Sequence, residues 1–506
     1  MSDPQSSAPY LDAIAAYGSR GTGRMHVPGH KGGSGADPGL RSAIGDRALV
    51  MDVPAGIYGV DLGVEVTPHL RAEALAAEAY GAHQSWFLTN GATQGNHALT
   101  LALAPPGSTV VVQRNSHASV VDGLVLSGGL PAFVAPAYDE ALGIAHTVEP
   151  PTLAAALASA PEAKVAFVVS PTYFGVTADI PGLAEVAHAA GCALVVDQSW
   201  GPHFGFHPGV PASALHQGAD AVLTSTHKMA GSLTQSAILH VVDPSRVDVA
   251  AVDRAVRIVR STSQSSLLLA SLDAARRQLA VHGEALLERT MRGRGELLRR
   301  IDASEGLTVL GPTFEGSPGV ADVDPLKVVI DVRGTGATGY AVAQALSSWH
   351  DVHAELATDT TVLLVLGPAE RPDDLAMVGL AFERTATRVA AEAARVAEAT
   401  PGEAGGEDPD PDRAPKIVEP LRAPISETVI PPRDAFLGPA EAIPLDDAVG
   451  RVSAESIAGY PPGIPALLPG ERITPAVIEH FRALLAAGSR LHGAHDPTLE
   501  TITVVK

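Results

Sequence analysis

The stretch Leu183-Ala-Glu-Val-Ala-His-Ala-Ala-Gly-Cys-Ala-Leu-Val-Val-Asp197 joins a helical pattern to a short apolar run that ends in an acid. Apolar residues recur at helical spacing from Leu183 to Ala190, whereas Leu194 to Val196 is short and uninterrupted. A run this short and this apolar is typical of a strand that is buried on both faces of a sheet. The stretch therefore predicts a helix followed by a buried strand.

Similar short runs rich in β-branched residues occur at Val110 to Val112, Val165 to Val169 and Ala221 to Leu223. Stretches rich in Ala and Leu separate them. This alternation predicts an α/β fold with a mainly parallel sheet that is covered by helices. In such sheets, ligands bind beyond the carboxyl ends of the strands. No internal repeat of fixed period is visible, which excludes solenoids and propellers.

The length of 506 residues exceeds what one hydrophobic core normally serves, so we expect two or three domains. We assign residues 1–255 to an N-terminal arm and a large domain, and residues 256–400 to a smaller α/β domain. Residues 401–415 consist largely of Pro, Gly and acidic residues with almost nothing to bury, which predicts a linker. Residues 416–506 carry enough apolar side chains for a small C-terminal α+β domain.

The charge and the cysteine content exclude several classes of protein. Lys and Arg total 35 against 56 Asp and Glu, and the net charge of -21 argues against nucleic acid or an anionic membrane as a partner. The single cysteine, Cys192, excludes a disulfide framework and a cysteine-based zinc site. The N-terminus has no secretory pattern, and no segment approaches 18 uninterrupted apolar residues. We therefore expect a cytoplasmic protein.

Two other patterns suggest ligands but are weak. Gly334-Thr-Gly-Ala-Thr-Gly339, with Glu355 some twenty residues later, matches a dinucleotide fingerprint, yet a lone match carries little weight in a chain with 50 glycines. The 19 histidines form no cluster with the spacing of metal ligands, so we expect no metal site.

A lysine follows one of the predicted strands in Leu223-Thr-Ser-Thr-His-Lys228-Met-Ala-Gly-Ser232. Partial desolvation there would lower the pKa of Lys228 and expose the free amine that imine formation needs. Ser225 and Thr226 could donate hydrogen bonds to a phosphate. The alternative interpretation is a solvated loop lysine.

An acid ends the strand Leu194 to Val196, and the distance along the chain to Lys228 fits one helix and one strand. Asp197 and Lys228 are thus predicted at the same sheet edge. A carboxylate against a pyridine nitrogen keeps that nitrogen protonated, so the ring can absorb electrons released when a bond to Cα breaks. Alternatively, Asp197 caps the next helix.

Two earlier loops complete the set. Thr89-Asn-Gly-Ala-Thr-Gln-Gly-Asn96 precedes the helical pattern Ala98 to Ala104, and small residues at a helix start leave N–H groups free for a phosphate. Arg114-Asn-Ser-His117 follows a strand, and a flat imidazole there could stack on a cofactor ring. The alternative for His117 is a structural histidine.

The order of these parts resembles the Orn/Lys/Arg decarboxylases, which have the aspartate-aminotransferase-like fold (fold type I) of enzymes that use pyridoxal 5'-phosphate (PLP), in their short bacterial form. The resemblance runs nearly end to end. The strings that carry it are His26-Val-Pro-Gly-His-Lys31, Thr89 to Asn96, Arg114 to His117, Ser170-Pro-Thr-Tyr-Phe-Gly175, Ser225 to Lys228, Gly231-Ser-Leu-Thr-Gln235, Tyr460-Pro-Pro-Gly-Ile-Pro465 and Pro469-Gly-Glu471.

The resemblance implies roles for individual residues. Lys228 binds PLP covalently, Asp197 pairs with the ring nitrogen, and His117 stacks on the ring. The phosphate contacts it implies are Ala92, Thr93, Ser225 and His227, helped by Thr262 or Ser263 of a partner subunit. Gln94, Thr172 and Trp200 are also expected at the cofactor. His227 and His203 are candidate proton carriers.

The resemblance further implies decarboxylation of arginine, lysine or ornithine to the amine and CO2, in polyamine biosynthesis, by a homodimer or larger homo-oligomer with shared active sites. The short architecture favours arginine, while Trp200 is typical of the longer members. One alternative is another PLP reaction, such as transamination or elimination. A second is a non-catalytic member with a regulatory or assembly role.

Overall fold

A computed structural model describes residues 3–63, 65–399, 424–460, 463–486 and 490–506. The predicted linker, residues 401–415, lies outside these ranges, as do two residues of the quoted segment from Tyr460 to Pro465. Within the described ranges, no helix combines the length and the apolar character that crossing a membrane requires.

The first part of the chain alternates helices and strands. Its helices are α1 (Pro9–Gly18), α2 (Pro38–Ile44), α3 (Asp46–Met51), α4 (Pro68–Tyr80), α5 (Gly91–Leu103), α6 (Ala118–Ser127), α7 (Pro150–Ser159), α8 (Ile180–Ala189), α9 (Thr226–Met229) and α10 (Val249–Val259). Its strands are β1 (Gln84–Leu88), β2 (Thr109–Gln113), β3 (Leu130–Val134), β4 (Tyr138–Asp139), β5 (Ile144–Ala145), β6 (Val165–Val169), β7 (Val176–Thr177), β8 (Ala193–Asp197), β9 (Ala221–Thr224) and β10 (Ala237–Val241).

Local signals in the sequence set the bounds of α8 and β8. The side chain of Asp179 accepts the N–H of Gly182, and a proline lies in the first turn of α8. After the helix, Gly191 adopts a φ of 72°, which a residue with a side chain disfavours, and the chain turns into β8. The predicted helix and strand are both confirmed.

The main sheet has the strand order β1-β10-β9-β8-β6-β2-β3. The five strands from β9 to β3 run parallel, and β10 is antiparallel to both of its neighbours. Each predicted strand lies in this parallel part. Both faces are buried: Val111 packs in one hydrophobic core, and Val110 and Val112 pack in the core on the other face. The mainly parallel sheet is confirmed.

The second part contains α11 (Ser266–Asp302), α12 (Gly339–His350), α13 (Pro372–Ala399), β11 (Thr308–Val309), β12 (Asp322–Val323), β13 (Lys327–Asp331), β14 (Leu356–Ala357) and β15 (Thr361–Val365). The strands β11-β13-β15-β14 form an antiparallel sheet. Strand β12 instead pairs with β7 of the first part.

The predicted boundary at residue 255 falls inside α10, whose residues Ala255 and Val256 pack in the core of the main sheet. The following helix, α11, belongs to both cores. Leu272 packs in the first core, while Leu297 packs beneath the antiparallel sheet. We propose that the boundary lies within α11, because this helix connects the two cores.

The third part contains α14 (Pro432–Leu437), α15 (Pro475–Ala486), β16 (Ala440–Pro444), β17 (Ile457–Tyr460), β18 (Ile464–Leu467), β19 (Arg490–His492) and β20 (Thr501–Val505). It has its own core, centred on Ile457, Phe481 and Val504. Arg114, which follows β2, anchors it: the guanidinium donates to the carbonyl of Pro465 at 2.8 Å and to Oε2 of Glu471 at 3.2 Å.

Candidate active site

A cavity of 960 Å³ lies beyond the carboxyl ends of the parallel strands, where all three parts of the chain meet. The second part contributes Tyr340 and Glu355, and the third part contributes Ile464 and His480. The predicted site residues that line the cavity are Ala92, Thr93, His117, Thr172, Asp197, Trp200, Ser225, His227 and Lys228.

Lys228 lies on the one-turn helix α9, directly after β9. Its amine is 4.0 Å from the centroid of the Trp200 ring. Burial lowers the pKa of Lys228, and the nearby carboxylates of Asp197 and Glu355 offset part of that shift. Because the side chain lines a cavity, the interpretation as a solvated loop lysine is wrong.

Asp197 is the last residue of β8, the parallel neighbour of β9, and is 7% exposed. Its Oδ1 accepts the N–H of Ser199 at 3.0 Å, and its Oδ2 accepts Nδ2 of Asn96 at 3.1 Å. The first bond is a local turn bond; the next helical segment is the 3-10 turn Ala214–His216, which Ser213 caps, so the alternative that Asp197 caps a helix is wrong. The second crosses to α5 and orients the carboxylate, and Asp197 also lines the cavity.

His117 caps the N-terminus of α6: its Nδ1 accepts the N–H of Ser119 at 3.2 Å and lies 2.9 Å from the Ser119 hydroxyl. The ring is exposed on the side that lines the cavity. Desolvation by the surrounding protein lowers the pKa of His117; Asp197 opposes the shift and Lys228 reinforces it. His117 therefore combines a structural cap with a face that is open to a ligand.

The first turn of α5 forms a cradle for an anion. Within the described residues, the amides of Ala92 and Thr93 have no hydrogen-bond acceptor. Ser225 and His227 line the same cavity. In His227, Nδ1 donates to the carbonyl of Ser236 at 2.8 Å, so Nε2 is available to a ligand. Amides without acceptors, an amine of lowered pKa and a strand-end carboxylate in one cavity fit PLP.

Three predicted residues lie elsewhere. Gln94 does not line the cavity. Its side-chain oxygen accepts the N–H of Asn90 at 3.2 Å, and its backbone N–H donates to the carbonyl of Asn90. His203 is fully buried against Asp324, at 3.3 Å, and does not line the cavity either, so its role as a proton carrier was wrongly predicted. Thr262 is exposed and outside the cavity of its own chain. Its contact across a subunit interface stays a prediction.

The sequence interpretation missed Lys327 and gave Glu355 no role in this site. Glu355 lines the cavity and accepts the Tyr173 hydroxyl at 2.5 Å. Lys327 is 1% exposed, and its amine lies 3.2 Å from the centroid of the Trp200 ring. A lysine directly before the apolar run Val328 to Ile330 was the signal that could have identified it, since lysine is rarely buried.

Comparisons with known proteins agree with this geometry. The family model "Orn/Lys/Arg decarboxylase, major domain" matches residues 8–374, and the model of the C-terminal domain of the same family matches residues 423–498. Arginine decarboxylase of Bacillus subtilis is 35% identical over 502 residues, which cover 99% of this chain and 98% of that protein.

Solved structures share the fold. Lysine decarboxylase A from Pseudomonas aeruginosa superposes with a TM-score of 0.79 at 21% identity and covers 99% of this chain and 81% of its own. Constitutive lysine decarboxylase of Escherichia coli gives a TM-score of 0.75 at 23% identity, with 99% and 82% covered. Because the family models and a relative of 35% identity each extend over most of the sequence, the chain belongs to the Orn/Lys/Arg decarboxylase family.

Proposed function

We propose that this protein decarboxylates a basic L-amino acid to the corresponding amine and CO2, with PLP bound to Lys228. One observation carries the proposal: the Lys228 amine, the Asp197 carboxylate and the acceptor-free amides of α5 meet in one cavity. The relatives named arginine decarboxylase and constitutive lysine decarboxylase support the reaction class.

When bound, PLP supplies an electron-withdrawing ring that takes up the electron pair released as the bond between Cα and the carboxylate breaks. The amides of Ala92 and Thr93, with Ser225 and His227, would hold the phosphate. Asp197 would hold the proton on the ring nitrogen, and His117 would pack on the ring.

Lys228 has a second task once the substrate amine has taken its place. Its amine is then free to hold a proton beside Cα, and burial lowers the pKa of Lys228, which favours the return of that proton. His227 also lines the cavity and is a second candidate for that proton. Trp200 and Ile464 add apolar surface to the cavity wall, which would limit the access of water to the reacting atoms.

The cavity offers carboxylates to a cationic side chain. Glu355 and Asp359 both line it, and the Tyr173 hydroxyl orients Glu355. We propose that Glu355 binds the distal cation of the substrate, because a charge-assisted bond is the strongest contact available to an ammonium or guanidinium. We propose arginine as the preferred substrate, because arginine decarboxylase of Bacillus subtilis matches nearly the full length of both chains. The amine would then enter polyamine biosynthesis.

We also propose a homodimer or larger homo-oligomer. Met25, Val27, Tyr58 and Leu62 are large apolar side chains that are more than half exposed. A second copy of the chain would cover such side chains and bring Thr262 of the partner subunit to the phosphate.

The test is CO2 release from arginine, lysine and ornithine with added PLP, together with identification of the organic product. The amine should form, and Lys228→Ala should abolish its formation. A keto acid as the product would favour transamination. Absence of any product, with a normal absorbance change on addition of PLP, would favour the regulatory alternative.

A further inference from the structure

A relay of three hydrogen bonds joins Asp197 to His117 through the side chains of Asn96 and Ser119, to which neither the sequence motifs nor the proposed function assigns a role. Nδ2 of Asn96 donates to Oδ2 of Asp197 at 3.1 Å and to Oγ of Ser119 at 3.0 Å. The Ser119 hydroxyl lies 2.9 Å from Nδ1 of His117. Each step has ordinary hydrogen-bond length.

In this series of hydrogen bonds, the chemistry of each group decides which atom donates and which accepts. An amide NH2 carries two hydrogens, and Asn96 directs one to the carboxylate and the other to the Ser119 oxygen. The Ser119 hydroxyl is then free to donate to Nδ1 of His117. That nitrogen also accepts the backbone N–H of Ser119 at 3.2 Å, so it must be the unprotonated one. The neutral ring therefore carries its hydrogen on Nε2.

The two middle residues of this relay, which runs from Asp197 through Asn96 and Ser119 to His117, are buried and lie on two different helices. Asn96, on α5, and Ser119, in the first turn of α6, are each 1% exposed, so water does not compete for these bonds. Helix α5 also holds the amides of Ala92 and Thr93. The same two side chains thus tie together the helix of the anion cradle, the strand-end acid and the histidine.

The charges around His117 agree with a neutral ring. Desolvation by the surrounding protein lowers the pKa of His117 most; Lys228, His492 and His97 add to this shift, and Asp197 opposes it. Protonation would also place an N–H on Nδ1, directly against the N–H of Ser119.

We propose that Asn96 and Ser119 are positioning residues that orient the Asp197 carboxylate and hold His117 as the neutral ring with its hydrogen on Nε2. The inference rests on the proposed function, because Asp197 and His117 are the residues expected to contact the cofactor ring. The inference implies that a change at Asn96 or Ser119 alters the orientation of both Asp197 and His117.

The first test uses the wild-type apo protein and needs no cofactor. 15N-histidine NMR at pH 7.5, with the His117 signal assigned by its loss in His117→Asn, reports which nitrogen carries the hydrogen. The inference expects Nε2. A His117 that is charged at this pH, or that carries its hydrogen on Nδ1, overturns the inference whether or not the variants fold.

The second test is a double-mutant cycle on the dissociation constant of PLP, measured by absorbance. Asn96→Leu and Ser119→Ala should each weaken PLP binding about 10-fold, and the double variant should also lose about 10-fold, because either change breaks the same relay. Losses that multiply to about 100-fold would mean independent packing effects and would overturn the inference.

Two further variants serve as controls. Ser119→Thr keeps the hydroxyl and should retain wild-type affinity. Ser127→Ala removes another buried hydroxyl of α6, one that donates to the backbone of Leu124, and should leave PLP binding unchanged. If Ser119→Ala and Ser127→Ala had the same dissociation constant for PLP, the relay would have no role in binding PLP. Failure of the wild-type protein to bind PLP would instead refute the proposed function, while the NMR test of the relay would still stand.

Discussion

Two lysine amines lie over the ring of Trp200, with Lys228 at 4.0 Å and Lys327 at 3.2 Å from its centroid. Like charges this close repel strongly inside a protein. Burial lowers the pKa of Lys327 well below its ordinary value, and within the described part of the chain its Nζ has no hydrogen-bond partner. Burial thus favours the neutral form of the Lys327 amine, which lies against the indole face without a hydrogen bond.

We predict that Lys327→Met stabilises the protein by about 1–3 kcal/mol at pH 7, because it removes a buried polar group without a partner. The unfolded lysine has a pKa of about 10.4 and binds more protons than the folded one below that pH, so wild-type stability should rise with pH. The difference in the free energy of unfolding between Lys327→Met and wild type should therefore be smaller at pH 10 than at pH 7. Urea unfolding of both proteins at both pH values measures this difference.

The exposed Lys164 provides the matched control, since Lys164→Met should change stability little at either pH. A Lys327→Met variant that is less stable than wild type at pH 7 would mean that the amine makes a favourable contact with Trp200 that outweighs its burial.

Glu355 gives the second prediction for a single residue. Glu355→Gln keeps the shape of the side chain but removes its charge, so KM for arginine should rise about 10- to 100-fold, the loss expected for a charge-assisted bond. The value of kcat should change less, because the contact is remote from the bond that breaks. Steady-state kinetics measure both. Glu383→Gln, at an exposed position of α13, is the control, and an unchanged KM in Glu355→Gln would refute the role.

At the scale of elements, the third part of the chain is held to the main sheet by a buried ion pair. Arg114 and Glu471 are 3.2 Å apart, and their side chains are 6% and 0% exposed. Burial raises the pKa of Glu471 to about 7 despite the neighbouring Arg114. The folded carboxyl thus binds a proton more readily than the unfolded one, so its contribution to stability is greatest below about pH 4.5 and declines as the pH rises to 7.

We predict that Arg114→Met destabilises the docked C-terminal part by about 3–5 kcal/mol, because it leaves a buried carboxyl without its cation. The destabilisation by Arg114→Met should be larger at pH 8 than at pH 6, because Glu471 is more often deprotonated at pH 8 and the variant has no guanidinium to balance its charge. Limited proteolysis at both pH values, with cleavage mapped within residues 424–460 of the C-terminal part, measures undocking. Arg472→Met, which breaks the exposed pair with Glu427, should have little effect, and equal effects of the two variants would contradict the prediction.

At the scale of the whole molecule, the cavity requires all three parts of the chain, and the proposed assembly adds a second copy. We predict that Tyr58→Asp, at a side chain that is 77% exposed, dissociates the oligomer, because a charge cannot be buried in an apolar interface without a partner. PLP affinity should fall in parallel if Thr262 of the partner subunit helps to bind the phosphate.

Light scattering and PLP titration measure the two effects of Tyr58→Asp. The control is Val449→Asp, another exposed apolar position, in the C-terminal part of the chain. A Tyr58→Asp variant that keeps the mass of the wild-type protein would place the interface elsewhere. A monomeric wild-type protein would refute the assembly altogether.

The sequence by itself determined elements of the main sheet and placed Asp197 and Lys228 after neighbouring strands. Strands β6 and β8, helix α8 and the positions of Asp197 and Lys228 at neighbouring strand ends follow from patterns within a few residues. Hydrophobic periodicity, caps and turn glycines act locally, and a parallel sheet brings successive strand ends to one edge.

Only the tertiary structure decided which distant side chains complete the site. Lys327 reaches Trp200, Glu355 enters the cavity and Asn96 links Asp197 to His117 across long separations in the sequence. No local pattern predicts these contacts, because they depend on how separate cores pack against one another. Gln94 and His203 show the converse: suitable residue types lie in suitable segments, but packing directs them to other partners.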